Sequence, residues 1–163
     1  MRQVAETRKL NVGLAAPDRD EMVYLESIRY NRRPSLRTVV SGQRVPMELT
    51  SLGQAYLASA PEAKRKALLA HFREARAGQG RSLGPGISLA IESVATLGYC
   101  AASWQPEVAA VAAPLVFQGA YYSLNVSVSS AEAFDAVVRE LAPTLLLLKE
   151  RILRKLEIAE AER

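Results

Sequence analysis

The side chains with the widest chemical repertoire are scarce here: one cysteine, Cys100, and one histidine, His71, in 163 residues. Covalent catalysis needs an activated nucleophile with a base in reach. His71 lies in a basic stretch far along the chain from Cys100, and no spacing places the two together. The expected roles are a surface imidazole and a small buried thiol. One cysteine forms no internal disulfide, and with one histidine it falls short of a zinc ligand set. No metal or other cofactor is expected. A lone thiol fits the reducing cytoplasm. The carboxylates are scattered among basic neighbours and read as solvated faces, not as an acid–base pair. The expectation is therefore a protein that is not an enzyme.

Binding chemistry is better represented. Thr50-Ser51-Leu52-Gly53 reads as a helix start, with unpaired N–H groups and a dipole that favours an anion. Gly53 in its first turn lets the backbone come close to a neighbour. Val108-Ala109-Ala110-Val111-Ala112-Ala113 is a strand of small side chains, which leaves volume above a sheet. Asn125 and Ser127 present short polar groups from one face of another strand. Together these features describe a cavity with an apolar floor and a few convergent polar groups. Its ligand is expected to be a small anionic metabolite, a carboxylic acid. The carboxylate would sit at the N–H groups of Ser51 and Leu52, with Ser127 and Asn125 at its other polar end. Val108, Ala110 and Leu52 would form the apolar wall, and Trp104 the mouth. The glycines of Gly78 to Gly86 fit neither a dinucleotide fingerprint nor a P-loop.

The elements that must position these residues follow from composition and pattern. Hydrophobic residues make up 49% and charged residues 23%, a globular mix. The length suits one domain. No apolar run approaches a membrane span, and the N-terminus lacks a secretory signal. The net charge of +4 is mild. Residues 10–150 are expected to form the domain, with 1–9 a linker or helix tail and 151–163 the end of a C-terminal helix or a tail. Asn11 to Ala16 and Met22 to Ile28 read as an antiparallel hairpin about the break Pro17-Asp18-Arg19-Asp20. In the second strand Met22, Tyr24, Glu26 and Ile28 alternate with Val23, Leu25 and Ser27. Arg29 to Arg44 carries five arginines and no acid. It reads as a solvated rim containing a third strand, Leu36 to Val40.

Thr50 or Ser51 caps a helix to about Ser59, and Pro61 opens another to about Ala77. Leu68, Phe72 and Ala75 form its apolar stripe. A further helix carries Ile87, Ile91, Val94 and Ala95 and closes at Gly98. Short strands follow at Tyr99 to Ser103 and Val108 to Leu115, with Pro114 as an edge or bulge marker. In Tyr121 to Val128, Tyr121, Ser123, Asn125 and Ser127 share one face. Ser129-Ser130-Ala131-Glu132 reads as a capping box for a long final helix that Pro143 should kink. The order predicts an α+β fold with an antiparallel sheet and helices on its faces.

Three blocks of this sequence resemble the effector-binding domain of IclR-type transcription regulators. They are Gly42-Gln43-Arg44-Val45-Pro46-Met47-Glu48-Leu49-Thr50-Ser51-Leu52-Gly53-Gln54-Ala55-Tyr56-Leu57-Ala58; Gly98-Tyr99 followed by Trp104 to Leu115; and Leu124-Asn125-Val126-Ser127 before a long helix. The likeness runs from about Asn11 to Leu148. It implies a GAF-like fold, a dimer or tetramer built through this domain, and a metabolite bound near Thr50, Ser51 and Leu52. It further implies contacts from Ala102, Val108, Ala110, Asn125 and Ser127. Members that bind small oxo-acids carry an Asp soon after the Gly-Tyr pair and a Cys on the next strand. Here the positions read Cys100-Ala101-Ala102-Ser103 and Ala110, which implies a larger or more apolar ligand. Such regulators meet operator DNA through an N-terminal winged helix-turn-helix domain, and this chain is expected to begin at about the helix that follows it. The alternatives from other classes are an enzyme on a GAF-like scaffold and a structural dimerisation module whose cavity is filled.

Overall fold

The computed structural model describes residues 1–30, 40–75, 77 and 84–163. In chain order the elements are α1 (Arg2–Arg8), β1 (Asn11–Asp18), β2 (Glu21–Ile28), β3 (Arg44–Pro46), α2 (Ser51–Ser59) and α3 (Glu62–Ala75). They continue as α4 (Gly84–Leu97), β4 (Cys100–Ala102), β5 (Val108–Phe117), β6 (Ala120–Ser129) and α5 (Phe134–Ala161). The strands form one antiparallel sheet in the order β3-β2-β1-β6-β5-β4. This is the α+β architecture that the alternation of patterns predicts.

Side chains along a strand alternate between faces, so each strand feeds two cores. On one face Val12, Val111, Leu124 and Val126 pack with Val137, Leu141, Leu145 and Leu148 of α5 and Ala5 of α1. On the other, Ala15, Met22, Cys100 and Ala112 meet Leu52, Ala55 and Tyr56 of α2. Leu68 and Phe72 of α3 and Ile87 and Ala90 of α4 close over that core. Ala75 and Ala95, expected on the apolar stripes, are exposed at the helix ends.

Several local expectations are revised. The hairpin of β1 and β2 turns at Arg19-Asp20, because Pro17 and Asp18 still pair with Met22 and Glu21. Strand β2 does not keep a single alternation. Leu14 faces Glu26 while Ala15 faces Tyr24, so Leu25 is an extra residue, a β-bulge. Leu25 is exposed. Beyond the bulge the parity reverses. Ile28 packs with the α5 core, and Ser27 and Arg29 turn to the α2 face with Met22 and Tyr24.

The predicted strand at Leu36 to Val40 falls on residues outside the described ones, apart from Val40, which is in no strand. Residues 78–83 of the glycine loop also lie outside, whereas Gly84-Pro85-Gly86 form the first turn of α4. Pro114 pairs with Ser123 of β6 at a point that β4 no longer reaches, as an edge marker should.

The capping box does not cap α5. Ser129 stays in the ladder opposite Val108, and the Ser130 N–H donates to the Glu107 carbonyl. The sheet thus holds the chain past the expected cap. The Ser130 hydroxyl instead accepts from the Glu132 N–H at 3.1 Å, and α5 begins at Phe134. The helix runs through Pro143 as one element to Ala161. Near its end Gln118 Nε2, in the β5–β6 turn, donates to Glu160 Oε1 at 2.6 Å.

Candidate functional site

A cavity of about 80 Å³ opens between the start of α2 and the face of the sheet opposite α5. At ~10–15 Å³ of such volume per water, it holds a small molecule of several heavy atoms. Its floor is a single row across the sheet. Asn11 pairs with Ser127, Ser127 with Ala110, and Ala110 with Ala102. Arg29 extends the row at the β2 side, one residue beyond the Val12–Ile28 pair. The floor therefore changes from polar on β2, β1 and β6 to apolar on β5 and β4. The next row adds Gly13, Asn125 and Ser27.

The roof is the N-terminus of α2. Thr50 is its cap: the hydroxyl donates to the Pro46 carbonyl at 2.7 Å and accepts from the Gly53 N–H at 3.2 Å. The intrahelical bonds start with Gln54 N–H to the Thr50 carbonyl. The N–H groups of Ser51 and Leu52 precede both bonds and are the helix's outstanding donors. Gly53 has a structural reason. A Cβ there would overlap the Met47 backbone. The close approach is thus to the chain's own buried loop at Met47 and not to a ligand.

Other groups are held firmly. Asn125 is buried, and its Nδ2 donates to the Tyr24 hydroxyl at 3.4 Å. Burial pushes the Tyr24 phenol above its ordinary pKa, so it stays neutral. Asn11 Oδ1 accepts from the Tyr30 N–H at 3.2 Å, which fixes the backbone beside Arg29. The Gln105 carbonyl accepts from Val108 N–H and from the Ser103 hydroxyl, at 3.1 and 3.3 Å. Its side-chain Nε2 is buried with no hydrogen-bond partner. A buried orphan donor costs about 1–3 kcal/mol, so its presence at a cavity wall is notable. Partial burial pulls the Arg29 guanidinium below its usual pKa, although an arginine remains a cation at physiological pH.

The structure brings all nine residues expected to contact the ligand to this one cavity, whereas Gly53 is not among its lining. Thr50, Ser51 and Leu52 form the roof; Ala102, Val108 and Ala110 the apolar floor; Asn125 and Ser127 the polar floor; Trp104 a side wall. The volume is modest for the larger ligand that the small strand residues imply, because Tyr24 and Trp104 pack against the α2 core and occupy part of the space. Sequence reasoning missed Asn11, Tyr24, Ser27, Arg29 and Gln105. Strict alternation in β2 sends Ser27 away from Tyr24, and only the bulge reverses that. The signal available was a lone arginine directly following a strand end.

The remaining reactive side chains lie apart. His71 Nε2 meets Asp20 Oδ2 at 3.1 Å on the surface. That hydrogen bond is the main reason Asp20 lies below its ordinary pKa. Cys100 Sγ donates to the Ser51 carbonyl at 3.5 Å under α2. Arg44, expected on a solvated rim, bridges Asp18 and Glu21 at 2.7 and 2.5 Å. Among the described residues no cluster of His, Cys, Asp and Glu could hold a metal ion. Among them, too, no helix is long and apolar enough to cross a membrane.

Comparison with known proteins bears on this geometry. Residues 1–148 match the model of the family described as the bacterial transcriptional regulator IclR C-terminal. No curated protein matches the chain. An IclR family transcriptional regulator from Brucella abortus superposes with a TM-score of 0.84 at 29% identity, over 95% of this chain and 60% of its own. A putative transcriptional regulator from Rhodococcus sp. RHA1 gives 0.80 at 20% identity, over 94% and 65%. The C-terminal domain of the E. coli transcriptional regulator KdgR gives 0.72 at 20% identity, over 93% and 90%. The last two show likeness of fold. The chain spans about three fifths of the Brucella protein's length.

Proposed function

This chain belongs to the family of C-terminal domains of IclR-type bacterial transcriptional regulators, and from that premise we propose that it senses a small carboxylic acid and assembles subunits of such a regulator. The reading rests on one observation. A capped helix N-terminus faces a sheet row that passes from Ser127 to Ala110, and a void remains between them. A carboxylate at the Ser51 and Leu52 N–H groups is favoured by the helix dipole, by roughly 0.3–1 kcal/mol when exposed and more when partly buried. Each hydrogen bond to the charged group adds about 1.5–3 kcal/mol. After ordering costs, these terms support affinities in the micromolar range or weaker, as a metabolite sensor needs.

The mechanism is a coupling free energy. The acid favours one arrangement of two or four copies in the cytoplasm, and that arrangement shifts the operator affinity of attached DNA-binding domains. The open volume above Ala110 and Asn125 speaks against a purely structural module, whose side chains would fill it. An enzyme would need a nucleophile and base together, whereas Cys100 and His71 have separate partners.

The test begins with native mass spectrometry of freshly purified protein to identify a retained acid. Calorimetry with that acid should then show Ser127→Ala weakening binding about tenfold, the loss of one such hydrogen bond at 1.4 kcal/mol per decade. Ala110→Leu should block the cavity while the domain stays folded. If neither substitution changes affinity, the reading fails.

A further inference from the structure

Tyr24 pairs with Ala15, and its ring leans along β1 to the one position of that strand with no side chain, Gly13. A Cβ at Gly13 would overlap both the ring edge and Asn125 Oδ1. Gly13 and Asn125 are register partners, so the bare strand position is where the β2 and β6 side chains meet. There Asn125 Nδ2 donates to the phenol oxygen at 3.4 Å. The amide has its Oδ1 against Gly13 and its Nδ2 towards the hydroxyl. This arrangement fixes what the phenol can still do. Its oxygen accepts from Asn125, so its own hydrogen is turned elsewhere, and among the described residues no acceptor receives it. Tyr24 lines the same cavity as Ser51, Leu52 and Ser127. The N–H groups of α2 provide for a carboxylate; the phenol adds one uncharged donor beside them.

We propose that Tyr24 is a specificity-determining residue of this cavity, whose O–H donates to an uncharged acceptor oxygen that the ligand carries apart from its carboxylate. Asn125 acts through Tyr24 as a positioning residue, and Gly13 makes room for both. The ligand is then a compact acid with one further oxygen, in keeping with a cavity of about 80 Å³. A site built to hydrogen-bond a ligand oxygen rejects the analogue that lacks it, because its own donor is then left unpaired. The acceptor side of the phenol is filled by the protein, so the ligand atom that it selects must itself accept. The inference rests on the carboxylate-sensing reading above, and its own failure can be told apart from the failure of that reading.

The full chain is titrated calorimetrically with ether acids and their aliphatic isosteres: methoxyacetate against butyrate, and ethoxyacetate and methoxypropionate against valerate. At least one ether acid is expected to bind about fivefold or more tightly than its isostere. Tyr24→Phe should erase that preference while butyrate and valerate affinities stay within about twofold. Asn125→Leu releases the ring, so in that background Tyr24→Phe should change ether-acid affinity by less than about twofold. A merely structural Asn125 would leave the effect of Tyr24→Phe undiminished, which would overturn its positioning role. Melting curves establish that the variants fold. Gly13→Ala, whose methyl displaces side-chain ends and no backbone, serves the same cycle if Asn125→Leu does not fold. If ether acids bind no more tightly than their isosteres and Tyr24→Phe changes neither, the Tyr24 donor is overturned and the carboxylate reading stands. If no acid of either series binds the unaltered chain at millimolar concentration, the carboxylate reading falls and takes the Tyr24 donor with it.

Discussion

Burial beneath α2 pushes the Cys100 thiol from 9.0 up to about 12. Desolvation disfavours the thiolate, which is the nucleophilic form. The native protein should therefore resist alkylation by iodoacetamide at pH 8, and label only once denatured. Stability carries the same signature. A pKa raised in the folded state leaves its contribution intact below pH 9, the unfolded value. That contribution is lost as pH rises from 9 towards 12, since the unfolded chain ionises first. Denaturant midpoints should fall over that window, and Cys100→Ala should fall less steeply whatever its own offset from cavity formation. Equal slopes for the two proteins would show the thiol to be accessible. The buried character of this residue was legible from its isolation in an apolar segment. The place of Arg29 was not, because its neighbours in sequence are basic and suggest a rim, whereas its position depends on one inserted residue upstream.

Helix α5 carries Pro143 in its interior. Proline has no N–H to offer the carbonyl four residues earlier, and costs a helix interior about 3 kcal/mol relative to alanine. The packing of Leu141, Leu145 and Leu148 against the sheet offsets that cost. Pro143 itself is exposed, facing the groove between α1 and α5. Pro143→Ala should restore the Arg139 carbonyl's partner and raise stability by up to about 3 kcal/mol. For a chain of this size that is a melting point higher by several degrees, on the order of 2–4 °C per kcal/mol. A melting point that falls would assign the proline a packing role. At this scale the sequence was readable wherever one rule acted alone. The α2 cap, the Gly98 terminus with its φ of 82°, and the alternation of β6 all follow from local chemistry. It was misleading where tertiary pairing overrode a local rule, as when the ladder to Val108 held Ser129 and left the capping box unused. The β2 bulge is of the same kind, an extra residue that only partner strands define.

Apolar side chains remain exposed on several elements of the single chain: Leu89 and Leu97 on α4, and Leu147 and Ile158 on α5. Among the described residues the bulged half of β2, with Leu25 exposed, has no strand partner on the β3 side. Such surface is what an association of identical copies would cover. Sedimentation equilibrium should give a dimer or larger species, and a strict monomer at high concentration would overturn this. DNA is a different matter at this scale. Sequence-specific recognition requires an element that enters a groove and reads base edges. Two cations of the described surface helices are paired with acids of their own helix, Lys66 with Glu62 and Arg154 with Glu150. The net charge of +4 is mild, and the arginine-rich stretch from Arg29 to Arg44 offers phosphates attraction without reading bases. Binding to duplex DNA should then consist of phosphate attraction alone, with log K falling by about 0.9 per neutralised phosphate for each decade of salt. Fluorescence anisotropy with two duplexes of unrelated sequence should give equal, weak affinities at low salt, and none at physiological salt. A preference for one duplex that persists at physiological salt would mean that this domain reads DNA directly. The coupling between effector and operator would then act within this domain and would not need to pass between domains.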